Sequence, residues 1–276
     1  MSVSPCYDTG YNKLRSLFTG AHDPQTASNT QEMDKVSFHV YILKRLFYSI
    51  STDANIHYFV LDRKKYSYTF AGMIKDLVTS ILTREAEAVQ NIPITDGYEE
   101  AVRLIVKHVH ELGGTLITTG MGKAGQIAMN MATTFSSTGT PAFFLHPSEA
   151  QHGDLGIVRK NDVVLLISNS GKTRELIELI GLARGLVGDI PFIVITSNPK
   201  SQLAKEAAVC LETGSPKEVC ILGLTPTTST TIMTVIGDLL VVSVMNEIGF
   251  SSADYAKRHH GGYLGSKSRQ LSRKGE

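Results

Sequence analysis

Five short apolar runs alternate with segments of helical spacing between residues 115 and 212, and that alternation admits few folds. The runs are Thr115 to Thr119, Ala142 to His146, Val163 to Ser168, Phe192 to Thr196 and Val209 to Glu212. Their length and β-branched content read as buried strands. Helical crossovers between strands demand parallel pairing and right-handed connection. The expected class is therefore α/β, a three-layer αβα sandwich around a five-stranded parallel sheet. Two entry helices are predicted over Ile74 to Val89 and Tyr98 to Leu112, with a break at Pro93. The stretch Thr227 to Ile248 is apolar nearly all round, as a core helix or a helix at a subunit interface would be.

Composition divides the chain near residue 72. The first 72 residues hold 12 of the 20 Phe and Tyr but 3 of the 24 Gly, and their apolar spacing is irregular. A helix over Val36 to Ile50 and a strand over His57 to Leu61 are the two elements expected there. Residues 1–72 thus read as an N-terminal extension and 73–276 as the main domain. Two expectations follow for the extension. Met73 is the true initiator, preceded by an over-extended frame or a disordered leader, or the extension is small, ordered and packed on the main domain.

With 27 Lys and Arg against 26 Asp and Glu, a net charge of +1 gives no general attraction to nucleic acid or to an anionic membrane. Cys6, Cys210 and Cys220 show neither a Cys-x-x-Cys pair nor zinc spacing, so no disulfide framework is expected. No signal-peptide pattern opens the chain, and no apolar run reads as long as a membrane span. A cytoplasmic, soluble protein is the expectation.

Two polar loops sit where a strand hands over to a helix. The first, Gly120-Met-Gly-Lys-Ala-Gly125, has the spacing of a dinucleotide fingerprint. A nicotinamide site also needs an acidic residue at the end of the second strand, and that strand ends in Leu145-His146-Pro147. A P-loop fails as well, because Ala124 stands where Ser or Thr should follow the lysine. The second loop, Ser168-Asn-Ser-Gly-Lys-Thr173, offers three hydroxyls and backbone donors at a helix start. One hydroxyl suffices for a helix cap, whereas three suit the oxygens of a phosphate ester. Thr227 to Thr231 repeats the device, equally readable as a crowded helix start. His146, Glu149, His152 and Asp154 could bind zinc or form a polar site wall. Lys257-Arg-His-His-Gly-Gly262 has the composition of a helix C-terminus.

Taken together, these segments resemble the sugar isomerase (SIS) domain, and more narrowly the arabinose-5-phosphate isomerases of the pathway to 3-deoxy-D-manno-octulosonate (Kdo). The resemblance runs from Met73 to about Arg269. It rests on residues 120–125, Ser-Thr-Gly-Thr-Pro at 137–141, His-Pro-Ser-Glu-Ala-Gln-His-Gly-Asp-Leu-Gly at 146–156, Ser-Asn-Ser-Gly at 168–171 and Leu-Gly-Leu-Thr-Pro-Thr-Thr-Ser-Thr-Thr at 222–231. It implies a catalytic set of Lys123, His152, Glu175, Glu218 and His259. Substrate contacts are expected at Gly122, Gly139, Thr140, Ser168, Ser170, Thr173, Thr228 and Ser229, and a zinc-binding histidine at His146. The family's usual His-Pro-Gly-Gly is His259-His-Gly-Gly262 here, and Lys172 replaces an acidic residue.

The implied reaction interconverts D-arabinose 5-phosphate and D-ribulose 5-phosphate through an enediol, with Glu218 as first choice of base and Glu175 second. No cofactor is required, with zinc binding as an accessory. A homotetramer with shared active sites is expected, His259 entering from a neighbouring subunit. Rival readings are a non-catalytic module that senses a sugar phosphate, and an isomerase for another phosphosugar.

Overall fold

The computed structural model describes residues 70–274. The helix and strand expected at 36–50 and 57–61, and with them the question of the extension, lie outside the described residues. The first helix, α1 (Phe70–Gln90), passes through Met73 and is followed by α2 (Gly97–Ile105). The helix predicted to reach Leu112 changes its winding over Val106–Glu111, where the bonds widen to i→i−5, as from the Leu112 amide to the Lys107 carbonyl at 3.0 Å.

The strands β1 (Leu116–Gly120), β2 (Ala142–Phe144), β3 (Val163–Ile167), β4 (Phe192–Thr196) and β5 (Val209–Glu212) form one sheet in the order β2-β1-β3-β4-β5. Every pairing is parallel. Both faces are covered, which is why the central strands are apolar without alternation. On one face Leu165 and Ile167 join Ile105, Phe135 and Ile236. These come from α2, α3 (Gly122–Ser137) and α7 (Thr228–Glu247). On the other face Val164 and Leu166 meet Leu176, Leu179 and Ile180 of α5 (Arg174–Val187). The three-layer αβα sandwich expected from the sequence is thus the observed architecture. Short helices α4 (Pro147–Ala150) and α6 (Gln202–Glu206) fill connections, and α8 (Ser252–Arg258) and α9 (Gly262–Lys274) end the described chain.

β2 is shorter than predicted because His146 leaves the sheet to cap α4, whose first residue is Pro147. The membrane reading also needs correction. α7 has 20 residues at mean hydropathy 1.6, long and apolar enough to cross a membrane by length and composition, although half of it is buried within the fold. Its buried residues, Ile232, Met233, Ile236, Leu240 and Val244 among them, belong to the core beside α2 and α3, which accounts for the hydropathy.

The glycines of the first loop serve the joint between strand and helix. A Cβ on Gly125 would stand 2.5 Å from the Gly120 carbonyl oxygen, so the loop closes only if both positions are bare. Gly125→Ala should therefore destabilise the domain by about 1–3 kcal/mol through overpacking. Equilibrium denaturation of the variant and wild type measures it.

Candidate active site

In a 2-1-3-4-5 sheet, β1 connects outward to β2 while the next strand pairs on its other side. The crevice beyond the carboxyl ends of β1 and β3 is the switch point where ligands of such sheets bind. Gly120 is in register with Ile167, so the loops at 121–123 and 168–173 leave the sheet at the same level. Between them lies a cavity of about 350 Å³ lined by Met121, Lys123, Ser168, Ser170, Thr173 and Ser229, with Asn169, Pro226, Thr230 and Met233 completing its wall. Lys123 and Thr230 also border a groove of about 570 Å³ between α3 and α7.

The second loop is held from below. Ser168 Oγ and Thr173 Oγ1 are 2.8 Å apart, and Ser168 Oγ accepts from the Gly171 amide at 3.1 Å. The Asn169 carbonyl accepts from Thr196 Oγ1 at 3.1 Å and Ser197 Oγ at 2.7 Å. Gly171 has φ +63°, and a Cβ there would lie 2.1 Å from Ser201 Oγ. Bound to Ser168, the Thr173 hydroxyl makes no cap hydrogen bond to α5. The α5 N-terminus thus has no side-chain oxygen of its own N-cap across its amides, and its dipole favours an anion. Lys123, exposed on the first turn of α3, has no carboxylate within ion-pair distance among the described residues. Hydroxyls, a helix N-terminus and a lysine around one small cavity supply donors and positive charge that suit an anion.

Glu218 stands at the start of α7. Its Oε2 accepts from the Thr227 amide at 2.7 Å, Thr227 Oγ1 at 2.9 Å and the Ser229 amide at 3.3 Å. Partial burial pushes its pKa up, but the hydrogen bonds from Ser229 and Thr227 outweigh it and hold the carboxyl below its ordinary 4.5. Glu175 is half-buried two residues beyond Thr173, and no described group hydrogen-bonds its carboxylate.

Other expected residues lie elsewhere. Thr228 is fully buried and its hydroxyl donates to Glu85 Oε1 at 2.8 Å, away from the cavity that Ser229 lines. Gly139 and Thr140 precede β2 and so sit at the amino edge of the sheet, opposite the cavity. Thr140 Oγ1 is 3.1 Å from His110 Nε2, and a Cβ on Gly139 would meet the Phe250 ring at 2.8 Å. His259 belongs to that same remote edge. It ends α8, stacks on Tyr255 at 3.8 Å between ring centroids, and follows Arg258, which lies beside Gly139. A helix the length of α7, about 30 Å, separates it from its own cavity. α8 is fixed by a capping box in which hydrogen bonds from Ser251 and Lys257 bring Asp254 down to about 2.

His146 and His152 flank α4, which touches the first loop through Ser148 Oγ and Met121 Sδ at 3.9 Å. His146 Nδ1 is buried without a partner, while His152 is exposed. No three His, Cys, Asp or Glu side chains among the described residues could hold one metal ion. The described residues therefore do not fit a zinc centre.

The SIS domain family matches residues 113–243. A solved candidate phosphosugar isomerase involved in capsule formation, from Bacteroides fragilis, is 64% identical and aligns over 70% of this chain and 100% of its own, with a TM-score of 0.68. The chain belongs to the SIS domain family. Another solved relative, E. coli CFT073 c3406 in complex with A5P, is 34% identical over 70% of this chain and 100% of that one, with a TM-score of 0.62. Among curated relatives, the arabinose 5-phosphate isomerase KdsD of Francisella tularensis is 47% identical over 174 residues, 63% of this chain and 52% of its own. The chain spans about half the length of the curated relatives it matches.

Sequence reasoning located both loops of this SIS site because each is a contiguous polar run. It missed Met121, Pro226 and Met233 as cavity walls, and Arg84 and Glu85 of α1 as neighbours of the α7 start. No local signal marks any of these. A carboxylate held below its ordinary pKa contributes stability that is full above its unfolded value and lost as pH falls through the folded one. Glu218→Gln should therefore lower denaturation stability at about pH 7, and the deficit should shrink as pH falls below the ordinary 4.5.

Proposed function

We propose that this SIS domain is an aldose-ketose isomerase that interconverts D-arabinose 5-phosphate and D-ribulose 5-phosphate and supplies Kdo biosynthesis for lipopolysaccharide in the cytoplasm. The observation that carries the reading is the convergence of Lys123, Ser168, Ser170, Thr173 and Ser229 on one cavity at the sheet switch point. The match to a relative solved with A5P, over the whole of that solved chain, supports the substrate.

The phosphate rests against the 168–173 loop and the α5 N-terminus, and its remote binding energy holds the sugar carbons beside the reacting groups. One carboxylate takes a proton from C2 of the aldose and returns it to C1 while the C2 hydroxyl proton passes to the C1 oxygen, so the aldehyde becomes a hydroxymethyl group and the C2 hydroxyl a ketone. Glu175 is the base we favour, because it stands on the first turn of α5 beside the 168–173 loop and no described group hydrogen-bonds its carboxylate. Glu218, the first choice from sequence, is an anion committed to the α7 start, a poorer proton acceptor. Lys123 stabilises the enediolate. His152, or His259 of a neighbouring subunit, opens the sugar ring. No step needs a metal.

Assembly belongs to this proposal. His259 is remote from its own cavity, and α1 exposes Met73, Leu77, Val78 and Leu82 while α7 exposes Val242, an apolar surface suited to subunit contact in a homotetramer.

Arabinose 5-phosphate should yield ribulose 5-phosphate with the full chain, before and after chelation. Glu175→Gln should cut turnover by about 10²–10⁴-fold, and a larger loss in Glu218→Gln would return the base role to Glu218. Phosphosugar binding without turnover would favour a sensing module, and turnover of a different phosphosugar alone would reassign the substrate. Lys123→Ala subunits mixed with His259→Ala subunits should regain activity. None in verified mixed oligomers would refute shared sites.

A further inference from the structure

The α7 start is gripped from behind by two adjacent residues of α1. Arg84 Nη2 donates to the Glu218 carbonyl at 3.0 Å and Nη1 to the Val219 carbonyl at 3.4 Å, so one guanidinium spans two successive peptide groups. Glu85 Oε1 accepts from the buried Thr228 hydroxyl at 2.8 Å. The contacts bridge 134 and 143 residues, and together they fix both sides of the Glu218 cap. Glu85 Oε2 is buried with no hydrogen-bond partner. Such an oxygen carries a desolvation cost, so Glu85 holds Thr228 through Oε1 alone. Arg84 instead borders a small cavity with Lys217 and Asn91, outside the substrate cavity.

We propose that Arg84 and Glu85 are positioning residues that set where the Glu218 cap and the first turn of α7 stand against the substrate. Neither touches the reacting atoms. Arg84 fixes the backbone that carries Glu218, and Glu85 fixes the rotation of the turn that presents Ser229 to the cavity. The catalytic consequence rests on the isomerase reading, whereas the structural one rests on the geometry alone. Because the 168–173 loop is held by separate bonds to Thr196 and Ser197, loss of the α1 grip should spare phosphate binding.

Two readouts test the pair. By hydrogen exchange, Arg84→Met and Glu85→Ala should each lower protection of the Thr227 and Ser229 amides by about tenfold, with the β3 and β4 amides unchanged. In turnover of arabinose 5-phosphate, kcat should fall on the order of tenfold to a hundredfold with KM nearly constant. Arg84→Lys, with one point charge for a fork, should recover part of the loss, and Glu85→Gln, which keeps an acceptor for Thr228, most of it. Unchanged protection at Thr227 and Ser229 would overturn the proposal, as would an equal loss throughout the sheet. A wild-type chain without turnover would overturn the isomerase reading instead, and the exchange measurement would still decide the positioning pair.

Discussion

Parallel pairing of β1 with β3 is the constraint on which the rest of this SIS domain depends. It sets Gly120 level with Ile167, so two loops far apart in sequence leave the sheet side by side. The connections then diverge, α3 turning to one face and α5 to the other, and the space between their N-termini stays open. A one-residue slip would separate the hydroxyls of one loop from the lysine of the other, and would also exchange the side chains that β3 gives to its two packed faces. Fold stability and site geometry therefore share one register.

The α5 and α7 N-termini both lie near this crevice, and they are used differently. At α7 the Glu218 carboxylate occupies the Thr227 and Ser229 amides, so that terminus is already compensated. At α5 the N-cap hydroxyl is turned to Ser168 instead. The uncommitted positive end faces the cavity, and the compensated one serves as scaffold. This division explains why the hydroxyl-rich starts at 173 and 227, so alike in sequence, have different roles.

The fold was legible almost throughout because its period is local. β4 and β5 match their predicted bounds, and β1 shifts by one residue. β2 was read two residues too long since Leu145 and His146 are compatible with a strand, and only the proline fixes their departure. The site was legible where it is contiguous. Thr228 and Ser229 show the limit: neighbours on a helix point about 100° apart, so one hydroxyl lines the cavity and the other meets Glu85. Sequence offers both as equals. Arg84 and Glu85 sit on an ordinary-looking helix, and their contacts arise only when α1 packs against the α7 start. His259 is a further case, for its own chain holds it at the opposite edge of the sheet.

The central claim is that these loops hold a phosphosugar while a carboxylate moves one proton between adjacent carbons. Following arabinose 5-phosphate by proton NMR in deuterium oxide tests it most directly. The account predicts ribulose 5-phosphate carrying deuterium at C1, since a carboxylate exchanges its proton with solvent during the enediol's lifetime. Binding of the phosphosugar with neither ketose nor deuterium appearing would contradict it.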